Sequence, residues 1–311
     1  MTIAMPYRPT LRQLEYIVAL DDLRHFGKAA KRCHVSQPTL SVQIGLVESN
    51  LEVTLFERTP TSVIPTAAGA RLVKSARVVL TMIVDLLEDV SRDAKSLGGI
   101  IRLGTAPTFG PYFLSRFLPG IHAVYPQLQI YIREDRPAAI DASVAEGVLD
   151  CGLGPSPTLP GLRFRKIGDE KIFLGVPVEH PLAVQASVKI GSLRGEKLLA
   201  LGSGHRLLEN VRHLADSSGA QVVEDFEGTS LDSIRQMVSI GMGLSLFPEL
   251  YARAEFRNAD DVKLLTIEDW AERREVGFYW RDNSGRRHHY ETLAKHADGV
   301  SRLLGLIPTA R

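Results

Sequence analysis

Apolar positions follow a helical period through roughly the first third of the chain and form short strand-like runs after it. Leu40, Ile44, Val47 and Leu51 lie three and four residues apart, the spacing of one buried face on a helix over residues 37–50. Residues 11–22 and 26–33 predict two more helices before it. Ala29 and Ala30 are small enough to let a second helix cross closely. Ser36 suits a helix N-cap, and Pro38 falls in the first turn, where a missing N–H costs nothing. Residues 53–65 then read as a hairpin with Pro60 and Pro65 at its turns.

Two short helices joined by a tight turn and followed by a hairpin are the layout of a winged helix-turn-helix. The face of the third helix opposite the buried stripe carries Pro38, Thr39, Ser41, Val42 and Gly45, with Gln37 at its start. Small and hydrogen-bonding side chains suit a helix that enters a DNA major groove. Ser36, Gln37, Pro38, Thr39, Ser41, Val42 and Gln43 are therefore the candidate contacts to bases or phosphates. Arg58 in the wing would reach a phosphate or the minor groove.

Thr66 caps the next predicted helix, which is long. Val73, Ala76, Leu80, Ile83, Leu87, Val90 and Ala94 alternate three and four apart, as in a coiled-coil seam. Such a seam needs a partner. Another copy of the chain is one, and packing on its own domain is the other. Gly98 and Gly99 are expected to end the helix.

Beyond it, short apolar runs at 100–103, 128–132, 149–153, 172–176, 198–201, 244–247 and 276–280 predict strands. They alternate with predicted helices at 111–123, 137–147, 206–217, 230–241 and 287–304. That alternation predicts parallel sheets covered on both faces. Ligands on such sheets bind at the carboxyl ends of strands, where helix N-termini present free N–H groups. Three segments sit at such ends: Gly104 to Thr108 with Thr105, Pro107 and Thr108; Gly202 to Arg206 with Ser203, His205 and Arg206; and Thr229 with Ser230. Each alone reads as an ordinary helix cap.

Charge and composition add limits. The net charge is +1, and the first 66 residues hold seven Lys/Arg against six Asp/Glu, so charge alone does not announce a DNA binder. Arg24, Lys28, Lys31, Arg32 and Arg58 can still gather on one surface. No apolar run approaches the roughly 18 residues of a membrane span, and the N-terminus lacks a signal-peptide core. Two cysteines, Cys33 and Cys151, fit a reducing cytosol, so a cytoplasmic location is expected, with no membrane partner. No metal-ligand spacing, phosphate loop or catalytic constellation occurs. No cofactor, no metal and no enzymatic activity are expected.

The words Leu14-Glu15-Tyr16, Arg24-His25-Phe26 and Cys33-His34-Val35-Ser36-Gln37-Pro38-Thr39-Leu40-Ser41 resemble the DNA-binding domain of the LysR-type transcriptional regulators. Gly110-Pro111-Tyr112, Gly195-Glu196-Lys197-Leu198-Leu199, Gly204-His205 and Thr229-Ser230-Leu231 extend the resemblance along the chain. Within the family the likeness is greatest to the peroxide-responsive branch. The resemblance implies an α plus α/β fold: a winged helix-turn-helix (1–66), a coiled-coil linker helix (67–98) and an effector-binding domain (99–311). The last would hold two Rossmann-like lobes resembling a periplasmic binding protein, about 99–168 with 275–311, and 169–274. The chain should cross between lobes near 168–171 and return near 271–275. The implied partners are double-stranded promoter DNA, a small-molecule effector and the chain itself as a dimer or tetramer, with RNA polymerase a further candidate.

The resemblance also turns the three strand-end segments into one expected pocket for a small anionic metabolite. The peroxide-responsive branch works through two cysteines after the Gly204-His205 word. The corresponding positions here are Arg206 and Ala215, so the resemblance implies the scaffold without that thiol chemistry. Arg206 then reads as a fixed cation facing an anion, or as one half of a salt bridge to Glu209. Two readings compete with a ligand-responsive regulator. One is an oxidative-stress regulator acting through a thiol at another position; the other is a solute-binding module.

Overall fold

The computed structural model describes residues 7–58, 63–90, 97, 99–228, 230–257 and 261–306. The chain divides into two compact units. The first ends at Asp93 and is joined by the short segments Glu146–Val148 and Ser284–Arg286; the second holds the remainder.

The first unit opens with helix α1 (Leu11–Leu23), whose Thr10 cap accepts from Gln13 N while the Gln13 side chain accepts from Thr10 N. That reciprocal pair satisfies two amides that the first turn would otherwise leave bare. Helix α2 (Phe26–Arg32) is capped by the His25 ring and crosses α1 over Ala29 and Ala30, both buried. Helix α3 (Gln37–Leu51) follows a turn in which His34 adopts a left-handed φ of 56°. Leu40, Ile44 and Val47 are fully buried, but Leu51, at the last position, is exposed, so the buried stripe is one residue shorter than its spacing predicts. Strands β1 (Phe56–Arg58) and β2 (Val63–Pro65) pair antiparallel as the wing. Glu48 on α3 accepts from the Leu55 and Phe56 amides and so fixes where the wing begins.

Helix α4 (Ala67–Val90) starts at the expected Thr66, whose hydroxyl accepts from Gly69 N at 3.0 Å. Its apolar positions split between two roles. Val73 and Ala76 are buried, and Val73 packs in the core of the helix-turn-helix, which removes both from any seam. Leu80 and Ile83 are half-buried and Leu87 is 60% exposed. The Val90 side chain, Ala94 and Gly98 lie outside the described residues. Gly99 opens the next strand.

The second unit contains two large cores and a small cluster of Ile140, Val144, Leu149 and Tyr279. The first lobe is built on β3 (Gly99–Thr105), α5 (Gly110–Val124), β4 (Leu128–Glu134), α6 (Pro137–Ala145) and β5 (Cys151–Pro155). Ile101, Phe113, Phe117, Leu153 and Phe278 lie in its core. A 16-residue strand, β6 (Leu162–Pro177), then runs from one core to the other, with Ile167 in the first and Leu174 in the second. The second lobe adds β7 (Ser187–Val188), β8 (Lys197–Leu201), α7 (Arg206–Ser218), β9 (Gln221–Gly228), α8 (Leu231–Ser239), β10 (Ser245–Pro248), α9 (Glu249–Glu255) and β11 (Val262–Ile267). Strand β12 (Arg273–Arg281) returns to the first lobe, where α10 (Arg287–Leu304) closes the chain.

The sheets are mixed rather than wholly parallel. β3 pairs parallel with β4 and β5, and β8 with β9. β12 pairs antiparallel with β5 and β6, and β6 antiparallel with β10 and β11. The exception arises because β6 and β12 are the crossing strands and run against each other, with Arg273 opposite Lys171 and Arg274 opposite Glu170. Their register shifts between Val276 and Gly277. A Cβ on Gly277 would fall 2.2 Å from the Arg165 carbonyl oxygen, so only glycine permits that approach.

Candidate nucleic-acid interface and interlobe cleft

Helix α3 presents the predicted surface. Ser36, Gln37, Pro38, Thr39 and Val42 are exposed, with Val42 60% accessible, and Ser41 is half-buried. Ser36 Oγ accepts from Thr39 N at 3.2 Å and lies 2.7 Å from Thr39 Oγ1. Ser36 Oγ thus makes two bonds inside the helix start and Thr39 Oγ1 one, and both groups stand on the exposed face. Gln43 is oriented rather than loose: its Oε1 accepts from Gln13 Nε2 at 3.0 Å. Gln13 belongs to the α1 cap, so the first turn of α1 helps hold a candidate contact on α3. Arg58 ends β1, and its side chain lies outside the described residues.

The expected basic surface is only partly available. Arg24 pairs with Asp21 at 2.8 Å and Arg32 with Asp22 at 2.6 Å, while Lys28 and Lys31 are exposed.

In the second unit, the three predicted strand ends have different fates. Thr105 is fully buried, and its hydroxyl donates to the Leu153 carbonyl at 2.9 Å, so it stitches β3 to β5. That bond gives it a structural role within the sheet. Pro107 is exposed. Thr108 receives Arg274: Nη1 donates to its hydroxyl at 2.7 Å and Nη2 to its carbonyl at 3.2 Å. Ser230 caps α8, accepting from Ser233 N at 3.2 Å. Thr229 lies outside the described residues. Ser203 is exposed, and its carbonyl accepts from Arg136 Nη1 at 3.2 Å. His205 is the residue just before α7 and is 8% exposed; burial first, then the nearby Arg136 charge, lower its pKa below the usual 6.5, leaving a neutral imidazole at pH 7.

Arg206 corrects the expectation of a free cation. It pairs with the buried Asp141 on α6, and donates to Thr158 Oγ1 at 3.0 Å and the Ser156 carbonyl at 3.3 Å. Glu209, the partner considered from sequence, bonds Arg212 instead at 3.4 Å. Asp150, just ahead of β5, holds Arg102 at 2.7 Å. Tyr112 on α5 donates to Glu255 on α9 at 3.2 Å, and burial raises the Tyr112 pKa so that its hydroxyl keeps its proton.

Four residues with no local signature organise the cleft: Asp141, Arg136 and the Arg274–Glu170 pair. Their partners lie far away in the chain, 65 residues in the case of Asp141 and Arg206, and no local spacing encodes them. Gln13 was readable, because Thr10-x-x-Gln13 is a capping signature.

Both units match known families. Residues 11–70 match the bacterial regulatory helix-turn-helix protein family of lysR type, and residues 94–300 match the LysR substrate binding domain. The chain belongs to the LysR family of DNA-binding regulators. Its relatives include the DNA-binding transcriptional dual regulator OxyR of Escherichia coli strain K12, 38% identical over 92% of this chain and 93% of that protein. The hydrogen peroxide-inducible genes activator of Pectobacterium carotovorum subsp. carotovorum is 38% identical over 94% of this chain and 99% of its own length. A full-length OxyR variant from Pseudomonas aeruginosa has a similar solved structure, with a TM-score of 0.79 at 30% identity, covering 98% of this chain and all of that one.

Helix-turn-helix proteins place N-terminal residues of the second helix against base edges. Gln37 is an exposed amide at the start of α3. Gln37→Ala is expected to weaken operator binding by about 1–3 kcal/mol and to relax preference at one position. Gel-shift titration on matched and mismatched operators measures it; unchanged affinity on both would remove Gln37 from the interface.

Proposed function

We propose that this LysR-family regulator binds promoter DNA through Ser36, Gln37, Pro38, Thr39, Ser41, Val42, Gln43 and Arg58, and is controlled by a small anionic molecule in its interlobe cleft. No thiol switch takes part. One observation carries the absence of a thiol switch: the regulatory unit holds a single cysteine, Cys151, with no exposed surface. A disulfide switch within that unit needs an accessible thiolate and a second thiol to resolve it. Cys33 is buried in the helix-turn-helix core, in the other unit.

The anion preference is supported by groups at the cleft edge. The N-termini of α7 and α8 each favour negative charge. Arg206 is already matched by Asp141, so the guanidinium assigned to the ligand is Arg136, which is exposed beside His205 and bonds the Ser203 carbonyl through Nη1 alone among the described contacts. The Ser203 and Ser230 segments complete that edge. Assembly as a dimer or tetramer in the cytoplasm is part of the same proposal, supported by the apolar Val84, Leu86 and Leu87 that α4 leaves exposed.

The experiment is a thermal-shift screen of small carboxylates and phosphates, followed by calorimetry on wild type and Arg136→Ala. The expected result is an anionic ligand whose affinity falls about tenfold or more in the variant, the loss of one charge-assisted contact. A neutral ligand, or equal binding by Arg136→Ala, would overturn the anion assignment. A peroxide response is the second reading, favoured by the name of the Pectobacterium relative.

A further inference from the structure

Arg206 stands on the first turn of α7, a helix whose Leu207, Leu208, Val211 and Leu214 belong to the second lobe's core. Its guanidinium lies against the first lobe. Asp141 on α6 is the partner, with 1% of its side chain exposed against 19% for Arg206. Thr158 N also donates to Asp141 Oδ2, at 3.1 Å, which aims the carboxylate. Nearby, Ala138 N donates to the Gly204 carbonyl at 3.2 Å and Arg136 Nη1 to the Ser203 carbonyl. The starts of α6 and α7, one from each lobe, are thus joined across the cleft.

We propose that the Arg206–Asp141 pair is a latch between the two lobes, and that its making and breaking sets the lobe arrangement the regulator presents. The proposal rests on the reading that the cleft is regulated, and deepens it. A buried ion pair inside a single core cannot open without stranding a charge. A pair with one member on each lobe differs, because separating the lobes hydrates both ions together. The lost attraction is then offset by recovered solvation, and the two arrangements can be close in free energy. Such a bistable contact is what a cleft ligand needs, since a ligand shifts an equilibrium only by its differential affinity for the two states. Arg206 and Asp141 are positioning residues here; the ligand itself would meet Arg136 and His205 beside them.

The test is hydrogen exchange on the full-length, ligand-free protein, read in the peptide spanning residues 136–142, which contains the Ala138 amide. Asp141→Asn and Arg206→Gln should each speed exchange there by about tenfold or more, while a core peptide at 290–297 in α10 stays unchanged. The double variant should exchange no faster than the faster single one, because the second substitution removes nothing further. Arg206→Lys, which keeps the charge but loses the planar fork, should fold and fall between wild type and Arg206→Gln. Unchanged exchange at 136–142, additive effects in the double variant, or equal acceleration at 290–297 would each overturn the latch. No ligand enters the measurement. A failed ligand screen beside the expected exchange pattern would therefore count against the sensing reading alone.

Discussion

Arg274→Met is expected to destabilise the regulatory unit by about 3–5 kcal/mol at neutral pH, the cost of leaving one member of a buried ion pair unmatched. Glu170 has no exposed surface, and Arg274 holds it through Nε at 3.0 Å and Nη2 at 2.5 Å. The same guanidinium reaches Thr108, and Glu170 also accepts from Leu250 N at 2.9 Å, so the pair ties both crossing strands to the β3–α5 loop and to the start of α9. Burial already pushes the Glu170 pKa up, with Arg274 pulling it back. Without Arg274 the carboxyl rises further above its unfolded value. A carboxyl raised in the folded state costs stability as pH rises through the unfolded value, so the defect should shrink in acid. Glu170→Gln combined with Arg274→Met should recover much of the loss. The two tryptophans, Trp270 and Trp280, are both buried in the regulatory unit, so urea unfolding followed by their fluorescence reports this unit. A loss below about 1 kcal/mol, the value of an exposed pair, would mean that the pair is hydrated and pins nothing.

Gly69→Ala sets two effects of opposite sign against each other. In an open helix the change would gain about 1 kcal/mol of helix propensity. Here the new Cβ would lie 2.0 Å from the Leu55 carbonyl oxygen and 2.9 Å from its carbon, and both are backbone atoms that cannot swing aside. The Leu55 carbonyl is also the acceptor for Thr66 N at 2.9 Å, the contact that joins the wing to α4. Overpacking should win, with a net loss of about 1–3 kcal/mol in the helix-turn-helix unit and a displaced wing. Calorimetry of that unit's transition, alongside operator binding, reads both effects. A raised melting temperature would show that α4 does not press on Leu55.

The parts of the fold legible in the sequence are those with local causes. Ser36 and Pro38 start α3 where expected, and Thr66 starts α4. All five helices expected in the larger unit are present within two residues at either end. The parts that were not legible depend on distant partners. β9 and the first half of β6 are rich in charge and carry no apolar run, and they are strands because neighbours supply their ladders. α9 is only seven residues long, too short for a helical period to show. Antiparallel pairing of the crossing strands has no signature in periodicity at all. The same limit governed the cleft: sequence placed Arg206 at a strand end and could not foresee that Asp141 neutralises it. It likewise assigned Val73 and Ala76 to a seam, when the helix-turn-helix core claims Val73 first.

The most direct measurement of the central claim is a nuclease footprint of the wild-type protein on its own promoter region, with and without hydrogen peroxide. With Cys151 fully buried and no second cysteine in its unit, the footprint should have the same length and half-site spacing in both conditions. A footprint that changes with peroxide and returns on adding a reductant would contradict the account.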